Sequence, residues 1–312
     1  ELEASSPYAG LEWRSVGPVV QGGRLVDMEA VPGQPYSFYM AYASGGLWKT
    51  TNNGHTFEPL FDDQPSIIMG DIAVDPKNPE TVWVGTGENN SSRSTYGGMG
   101  VYRSDDGGEN WRYMGLGDTD RIGRILIDPD DSNRIYVAAI GKLYTPGGQR
   151  GIFRSTNGGE SWHQVMEGDD WTGVIDLVFK PGDAKTIYAA AWDRQRRPWE
   201  FTEGGDGSGI YKSTDGGDSW TRLEGGLPGG DLIGRIGLAV SPASPETLYA
   251  SIDNQELLPE EQWDLGDRPL SAKRLRKMSK EEFLAQDKDE IEAFVRAADF
   301  HVTIDADKLI EW

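Results

Sequence analysis

Ser104-Asp105-Asp106-Gly107-Gly108-Glu109-Asn110-Trp111 is one of four copies of a single eight-residue pattern. The others are Thr50-Thr51-Asn52-Asn53-Gly54-His55-Thr56-Phe57, Ser155-Thr156-Asn157-Gly158-Gly159-Glu160-Ser161-Trp162 and Ser213-Thr214-Asp215-Gly216-Gly217-Asp218-Ser219-Trp220. All read Ser/Thr-x-Asp/Asn-x-Gly-x-x-aromatic, and the closing aromatics lie 54, 51 and 58 residues apart. A period of about 50 residues is the mark of a repeat architecture.

Each motif belongs to a longer unit. A short apolar run ending in Pro precedes it: Gly70–Pro76, Gly123–Pro129, Val174–Pro181 and Arg235–Pro242, with Gly23–Pro32 as a looser copy. A second β-rich run follows each Pro: Ser37–Ala43, Thr81–Thr86, Arg134–Ile140, Thr186–Trp192 and Thr247–Ile252. A third run enters the motif and a fourth leaves its aromatic. Short β-branched and aromatic runs bounded by Gly, Pro and Asp predict strands. Four antiparallel strands per repeat predict an all-β chain, a β-propeller of four-stranded blades. In the turn between third and fourth strands, the Asp or Asn accepts backbone amide hydrogens, and Gly takes positive φ. The acidic motifs are therefore folding devices rather than catalytic groups.

These motifs resemble Asp-boxes, or bacterial neuraminidase repeats. Sialidases, sortilin-type receptors and xyloglucan-active glycoside hydrolases carry them. The fuller unit, with runs such as Thr186-Ile187-Tyr188-Ala189-Ala190, is similar to sortilin-like or glycosyl-hydrolase-like propellers of exported bacterial proteins. The resemblance covers about residues 11–252. Asn52 and Asn157 stand where Asp is usual and Phe57 where Trp is usual, and each keeps the acceptor or the aromatic.

Residues 11–252 are expected to hold four complete blades and the start of a fifth. Leu11–Val16 resembles a fourth strand, which would close the ring against a blade of a longer chain. The expected architecture is the N-terminal part of a larger propeller, with its remaining blades as partner. Residues 253–312 lose the repeat and read as a charged helical insertion. Ser279-Lys280-Glu281-Glu282 is a capping box. Ile291, Phe294, Val295 and Ala298 form a helical stripe, and Asp305 caps a further helix with Leu309 and Ile310. The basic stretch Lys273–Lys280 reads as a solvated helix face.

Composition bounds the function. The net charge of −21 disfavours nucleic acid and anionic lipid as partners. No apolar run is long enough to predict membrane insertion. The absence of Cys removes disulfides and thiolate chemistry. His55, His163 and His301 are the only histidines, and two lie on or beside motif turns, which argues against a Ser-His-Asp system. Asp118-Thr119-Asp120 and Asp169-Asp170 lack metal-ligand spacing, and Gly204–Gly207 lacks a nucleotide-binding context. No cofactor and no metal are expected. The location suggested by the resemblance is extracellular or periplasmic, although no export signal is visible.

Chemistry is expected on the face carrying the long second-to-third loops Gly87–Met99, Gly141–Arg150 and Asp193–Ser208. They hold Glu88, Asn89, Asn90, Arg93 and Tyr96, then Lys142, Tyr144 and Arg150, then Asp193 to Arg197, Trp199, Glu200 and Phe201, with Trp192 just before. Aromatics beside Arg, Asn and carboxylates suit a sugar, and they equally suit loops braced by their own side chains. The dipeptides Gly23-Arg24, Gly123-Arg124 and Gly234-Arg235 place arginines at the channel mouth. They suit an anionic ligand or salt bridges to Asp27, Asp71 and Asp176. The candidate ligand-binding residues are thus Arg24, Arg124, Arg235, Tyr96, Trp192, Arg194 and Trp199. Glu88, Asp193 and Glu200 are the candidate catalytic carboxylates.

Two functions follow. The chain is an exported binding module taking glycan or peptide on the long-loop face, as the sortilin-like resemblance implies. Alternatively it is a glycoside hydrolase, sialidase-like or xyloglucanase-like, using paired carboxylates there.

Overall fold

A computed structural model of the chain describes residues 23–91, 95–256, 270, 275, 278–297 and 304–311. The expected strand at Leu11–Val16, Arg93, Lys273, Ala298 and His301 lie outside these residues. Among the described residues, four four-stranded antiparallel sheets follow one another along the chain. The first is β1 (Leu25–Ala30), β2 (Phe38–Tyr42), β3 (Gly46–Thr50) and β4 (Glu58–Pro59). The second is β5 (Met69–Val74), β6 (Val82–Thr86), β7 (Val101–Ser104) and β8 (Arg112–Tyr113). The third is β9 (Ile122–Asp128), β10 (Asp131–Ala139), β11 (Gly151–Ser155) and β12 (His163–Glu167). In the fourth, β13 (Thr172–Lys180), β14 (Asp183–Asp193), β17 (Gly209–Ser213) and β18 (Thr221–Arg222) pair in order. A small hairpin, β15 (Gln195–Arg196) and β16 (Phe201–Thr202), interrupts that blade's long loop. Among the described residues β19 (Ile233–Ser241) and β20 (Ser244–Asn254) form a two-stranded sheet.

Apolar residues from neighbouring blades interleave to form the core. Ile72, Val74 and Val84 of the second blade pack with Tyr39, Ala41 and Leu47 of the first. Trp83 and Ala73 of the second pack with Ile125, Ile127 and Ile135 of the third. The stacking repeats between third and fourth blades through Tyr136, Val174 and Ile187, and between the fourth blade and β19 through Ala190, Ile210 and Ile236. A single blade cannot bury both its faces, so each depends on its neighbours.

The motif turns fold as their residues require. Ser104 Oγ accepts from the amide of Gly108 at 2.8 Å and donates to Asp106 Oδ1 at 2.7 Å. Asp106 Oδ1 also accepts from the Asn110 amide at 2.9 Å. The same bonds recur at Thr50, Ser155 and Ser213, with Asn52 and Asn157 accepting as Asp does. Hydrogen bonds from the Asn110 side chain and amide, and from Ser104, pull the Asp106 carboxyl down to about 2. An acid held that far below neutral pH is a poor proton carrier, which fits a structural role.

Two of the closing aromatics hydrogen-bond backward. Trp111 Nε1 donates to Leu60 O at 2.8 Å, and Trp162 Nε1 to Met114 O at 2.7 Å, each the tail of the preceding blade. Gly159 faces Trp83 so closely that an added Cβ would lie 2.4 Å from its ring, and its φ is +88°. Only Gly suits both demands.

The chain divides into two compact units, residues 1–256 and 257–312. In the second, helices span Lys280–Leu284, Lys288–Ala297 and Ala306–Glu311. Ser279 and Glu282 form the expected capping box, and Asp305 accepts from the Lys308 amide at 3.0 Å. Leu270, Ile291 and Ala306 centre a small core flanked by Phe283, Phe294, Leu309 and Ile310.

Replacing Trp162 with Ala removes both an inter-blade hydrogen bond and a packed ring. It is expected to lower unfolding free energy by about 3 kcal/mol in denaturant titration. A loss under about 1 kcal/mol would contradict the inter-blade role.

Candidate functional site on the long-loop face

The innermost strands bring the first cluster together. Asp27, Asp71, Arg124 and Asp176 occupy one repeat position, opposite Ala41, Gly85, Ala138 and Ala190 of the second strands. In β19 that position is Gly237, opposite Ser251. The acids at this position reach the next blade. Asp27 Oδ2 accepts from the Ile72 amide at 3.3 Å, Asp71 Oδ2 from Ile125 at 2.6 Å, and Asp176 Oδ2 from Leu238 at 2.8 Å. Arg124 stands where the third blade would carry its acid. It bonds Asp71 Oδ1 at 3.1 Å and Asp176 Oδ1 at 3.0 Å, with Asp27 Oδ1 at 3.7 Å. Those carboxylates, Asp71 foremost, raise the Arg124 pKa against the cost of its burial. Glycines precede it and Asp71 for a steric reason: a Cβ on Gly70 would lie 2.3 Å from Ile122 O, and one on Gly123 2.5 Å from Ile175 O.

The three Gly-Arg arginines therefore do not form one ring. Arg124 sits in the salt-bridge network expected of Asp27, Asp71 and Asp176. Arg24 turns to the loop after β6, its Nε donating to Glu88 Oε1 at 2.8 Å. Arg235 donates to Asn90 Oδ1 at 2.8 Å and stacks on Trp192, its guanidinium 5.6 Å from the ring centroid.

That loop is clamped from the far side of the repeat. Arg194 Nη1 donates to Asn90 O at 3.1 Å and Ser91 Oγ at 2.8 Å, and Arg196 Nη1 to Ser91 O at 2.7 Å. Tyr144 Oη donates to Thr95 O at 3.2 Å. The second long loop is braced from within, because Arg150 donates to the carbonyls of Ile140, Lys142, Thr145 and Gly147.

Burial sorts the expected site residues. Glu88, Arg194 and Trp192 are 0%, 0% and 2% exposed, so none of them faces solvent. Trp192 is packed in the core between fourth blade and β19, its indole donating to Glu203 O at 2.8 Å. Its ring is covered by Arg194 and Arg235 rather than left open for a sugar. Asp193 is half-buried, its carboxyl pushed up by burial and then by Asp169. Tyr96 and Trp199 are exposed, at 55% and 77%.

Trp199 belongs to an open groove of about 560 Å³ lined by Tyr144, Arg196, Arg197, Pro198, Trp199, Glu200 and Phe201. The β15–β16 hairpin builds it. Gln195 pairs with Thr202 and Arg196 with Phe201, and the Arg197 amide donates to Glu200 O at 2.8 Å. Pro198 suits this turn through its fixed φ. Arg196 lies over Phe201, 4.3 Å from the ring centroid, and orients that aromatic. Of the three candidate catalytic carboxylates, only Glu200 lines the groove. Among the described residues no group of side chains suits a metal ion, and no helix is long and apolar enough to cross a membrane.

Repeated four-stranded antiparallel blades, stapled through their inner strands and carrying long loops on one face, define the class of β-propeller proteins. Residues 99–304 match the Sortilin-Vps10 family, described as sortilin, neurotensin receptor 3, and the chain belongs to that family. It is also 30% identical over 215 residues to xyloglucanase Xgh74A of Acetivibrio thermocellus, covering 58% of this chain and 23% of that protein. A xyloglucanase of a Paenibacillus species is 22% identical over 261 residues, covering 72% of this chain and 23% of that protein. The chain thus spans about a quarter of the length of these curated relatives. Among solved structures, an ancestral GH74 enzyme superposes with a TM-score of 0.58 at 26% identity, over 80% of this chain and 30% of that one. The GH74 xyloglucanase of Xanthomonas campestris gives 0.52 at 20% identity, over 73% and 35%, and shares the fold.

Beside the channel network, burial and then the Asp27 charge push the Glu29 carboxyl up to about 7, against the pull of Arg124. A carboxyl raised on folding is most favourable to stability below its unfolded value, 4.5 here. That contribution disappears as pH rises through about 7. Glu29→Gln is expected to remove this loss, so the variant gains melting temperature over wild type from pH 5 to pH 8. Parallel pH profiles of both proteins would contradict a raised Glu29.

Proposed function

We propose that this chain forms part of an exported glycoside hydrolase of the xyloglucanase kind, and that the Tyr144–Trp199–Phe201 groove holds the polysaccharide. The observation that carries this is the groove itself. It is open, built on the β15–β16 hairpin, and lined by three aromatics beside two arginines and one carboxylate. Aromatic rings stack on the apolar faces of sugar rings while the charged groups take their hydroxyls. The names of the curated relatives support the same substrate class. The Asp-box turns are scaffold in this reading. A polymer of that size is met outside the cell, which supports an exported location.

Glycoside hydrolysis needs two carboxylates flanking one bond. Glu200 is the one this groove offers. Glu88 is itself buried, pairs with the half-exposed Arg24, and does not line the groove. The second carboxylate is therefore sought outside the groove lining, either at Asp193 or in the remainder of the full-length protein. The presence of a single lining carboxylate also favours a second reading, a binding module on the same groove, with glycan or peptide as ligand.

Variants of the full-length protein discriminate. Trp199→Ala is expected to weaken xyloglucan binding about tenfold, some 1.4 kcal/mol. Glu200→Gln is expected to abolish turnover and leave binding intact, since the amide keeps shape but exchanges no proton. Loss of binding in Trp199→Ala with full turnover in Glu200→Gln would move catalysis elsewhere. Unchanged xyloglucan binding in Trp199→Ala would overturn the groove.

A further inference from the structure

Each blade presents a seat to the motif turn of the blade that follows. Tyr39 Oη and Lys49 Nζ donate to Gly107 O at 2.9 and 3.0 Å. Arg103 Nη1 donates to Gly158 O at 3.1 Å. Tyr136 Oη and Arg154 Nη1 donate to Gly216 O at 2.8 and 2.7 Å. Gly107, Gly158 and Gly216 hold the fourth place of their motifs. The third strand of the following blade adds an aromatic to the same junction. Tyr102 packs with Leu47 and Phe61, Phe153 with Val101 and Met114, and Tyr211 with Ile152 and Met166.

The fourth blade carries the same seat, and no described turn meets it. Tyr188 and Lys212 stand in the places of Tyr39 and Lys49, the ammonium 5.5 Å from the ring centroid against 5.2 Å in the first blade. Among the described residues neither polar tip has a hydrogen-bond partner. The Leu223 amide donates to Ile210 O as Leu60 does to Leu47 O and Met114 to Val101 O. Its carbonyl therefore lies where those of Leu60 and Met114 accept from a motif tryptophan. Beside it opens a pocket of about 260 Å³ lined by Ile210, Leu223, Leu227, Ile236 and Ile252. Ile210 matches Leu47, Val101 and Ile152, so this is the space that a third-strand aromatic fills at the earlier junctions. Among the described residues β20 pairs with β19 alone, and most of it is exposed. An unpaired strand edge of that kind is a template for another strand.

We propose that the β20 edge and the Tyr188–Lys212–Leu223 seat together hold one β-hairpin of the full-length protein, drawn from outside residues 1–312. The four hairpins of this chain define its chemistry, as in Gly46–Phe57 and Gly209–Trp220. The occupant reads Gly-apolar-aromatic-Lys/Arg-Ser/Thr-x-Asp/Asn-x-Gly-x-x-aromatic. Its first aromatic fills the pocket, the carbonyl of its fourth motif residue accepts from Tyr188 and Lys212, and its closing Trp donates to Leu223 O. A second copy of this chain has no such hairpin to spare, because each third strand is already paired with the second strand of its own blade. The alignments reach only 23% of the length of the curated relatives, which favours a source in the same polypeptide. This seat is independent of the polysaccharide reading, and the two stand or fall separately.

The test uses the full-length protein with a photo-crosslinking residue at the pocket rim, Leu227→p-benzoylphenylalanine, since Leu227 is exposed there. After irradiation, the cross-linked peptide is expected to lie outside residues 1–312 and to carry the hairpin pattern. Cross-links to residues 257–312, cross-links between isotopically distinct copies, or no cross-link at all would each overturn the proposal. Amide hydrogen exchange of the unmodified full-length protein gives a check that needs no variant. All amides of Ser244–Asn254 are expected to exchange as slowly as those of β14. With a free edge, about half of them would exchange like loop amides, and that result would also overturn it.

Discussion

The innermost strand of each blade has one edge with no strand beside it, and half its amides point there without a ladder partner. Asp27, Asp71 and Asp176 answer that constraint, each accepting an inward amide of the following blade. One carboxylate thus satisfies a backbone group and joins two blades at the channel. The third blade carries Arg124 instead, which turns three separate acids into a connected network. Interleaved apolar cores and backward-reaching tryptophans tie the blades together farther out. Cores, staples and motif turns all act between neighbours, so the scaffold is rigid where loops leave it.

That rigidity lets the long loops differ. The loop after β6 is gripped by Arg24, Arg194, Arg196 and Arg235, whose positions span most of the repeat region. The loop after β10 is wound around Arg150. The loop after β14 makes its own hairpin and carries Trp199 outward. Arginine serves here mainly as a brace, because its planar donors reach several carbonyls at once.

The fold was legible because the motif turns have local chemistry. Ser104, Asp106 and Gly108 bond among themselves, so their spacing in sequence is already their geometry. The capping box at Ser279 was readable for the same reason. The salt bridges of Arg124 were readable because its acidic partners recur at the same strand position. Trp192 and Arg194 were different. Sequence placed them at the start of a long loop, where aromatics and arginines suit a ligand. In the structure β14 extends through Asp193 and packs Trp192 against β19, a contact set by a strand some forty residues on. Glu88 likewise pairs with Arg24, a residue of another blade. Such partners across blades leave no local signature. Trp199 is exposed, on a turn closed by the backbone bonds between Arg197 and Glu200.

The central functional claim is that ligand meets the long-loop face at the β15–β16 hairpin. Hydrogen-exchange mass spectrometry of the full-length protein with and without xyloglucan oligosaccharide tests it most directly. The account predicts slowed exchange in peptides covering Tyr144 and Gln195–Thr202. Peptides covering the motif turns, such as Ser104–Trp111 and Ser155–Trp162, should exchange at the same rate in both conditions. Protection at the motif turns, with the hairpin unchanged, would contradict it.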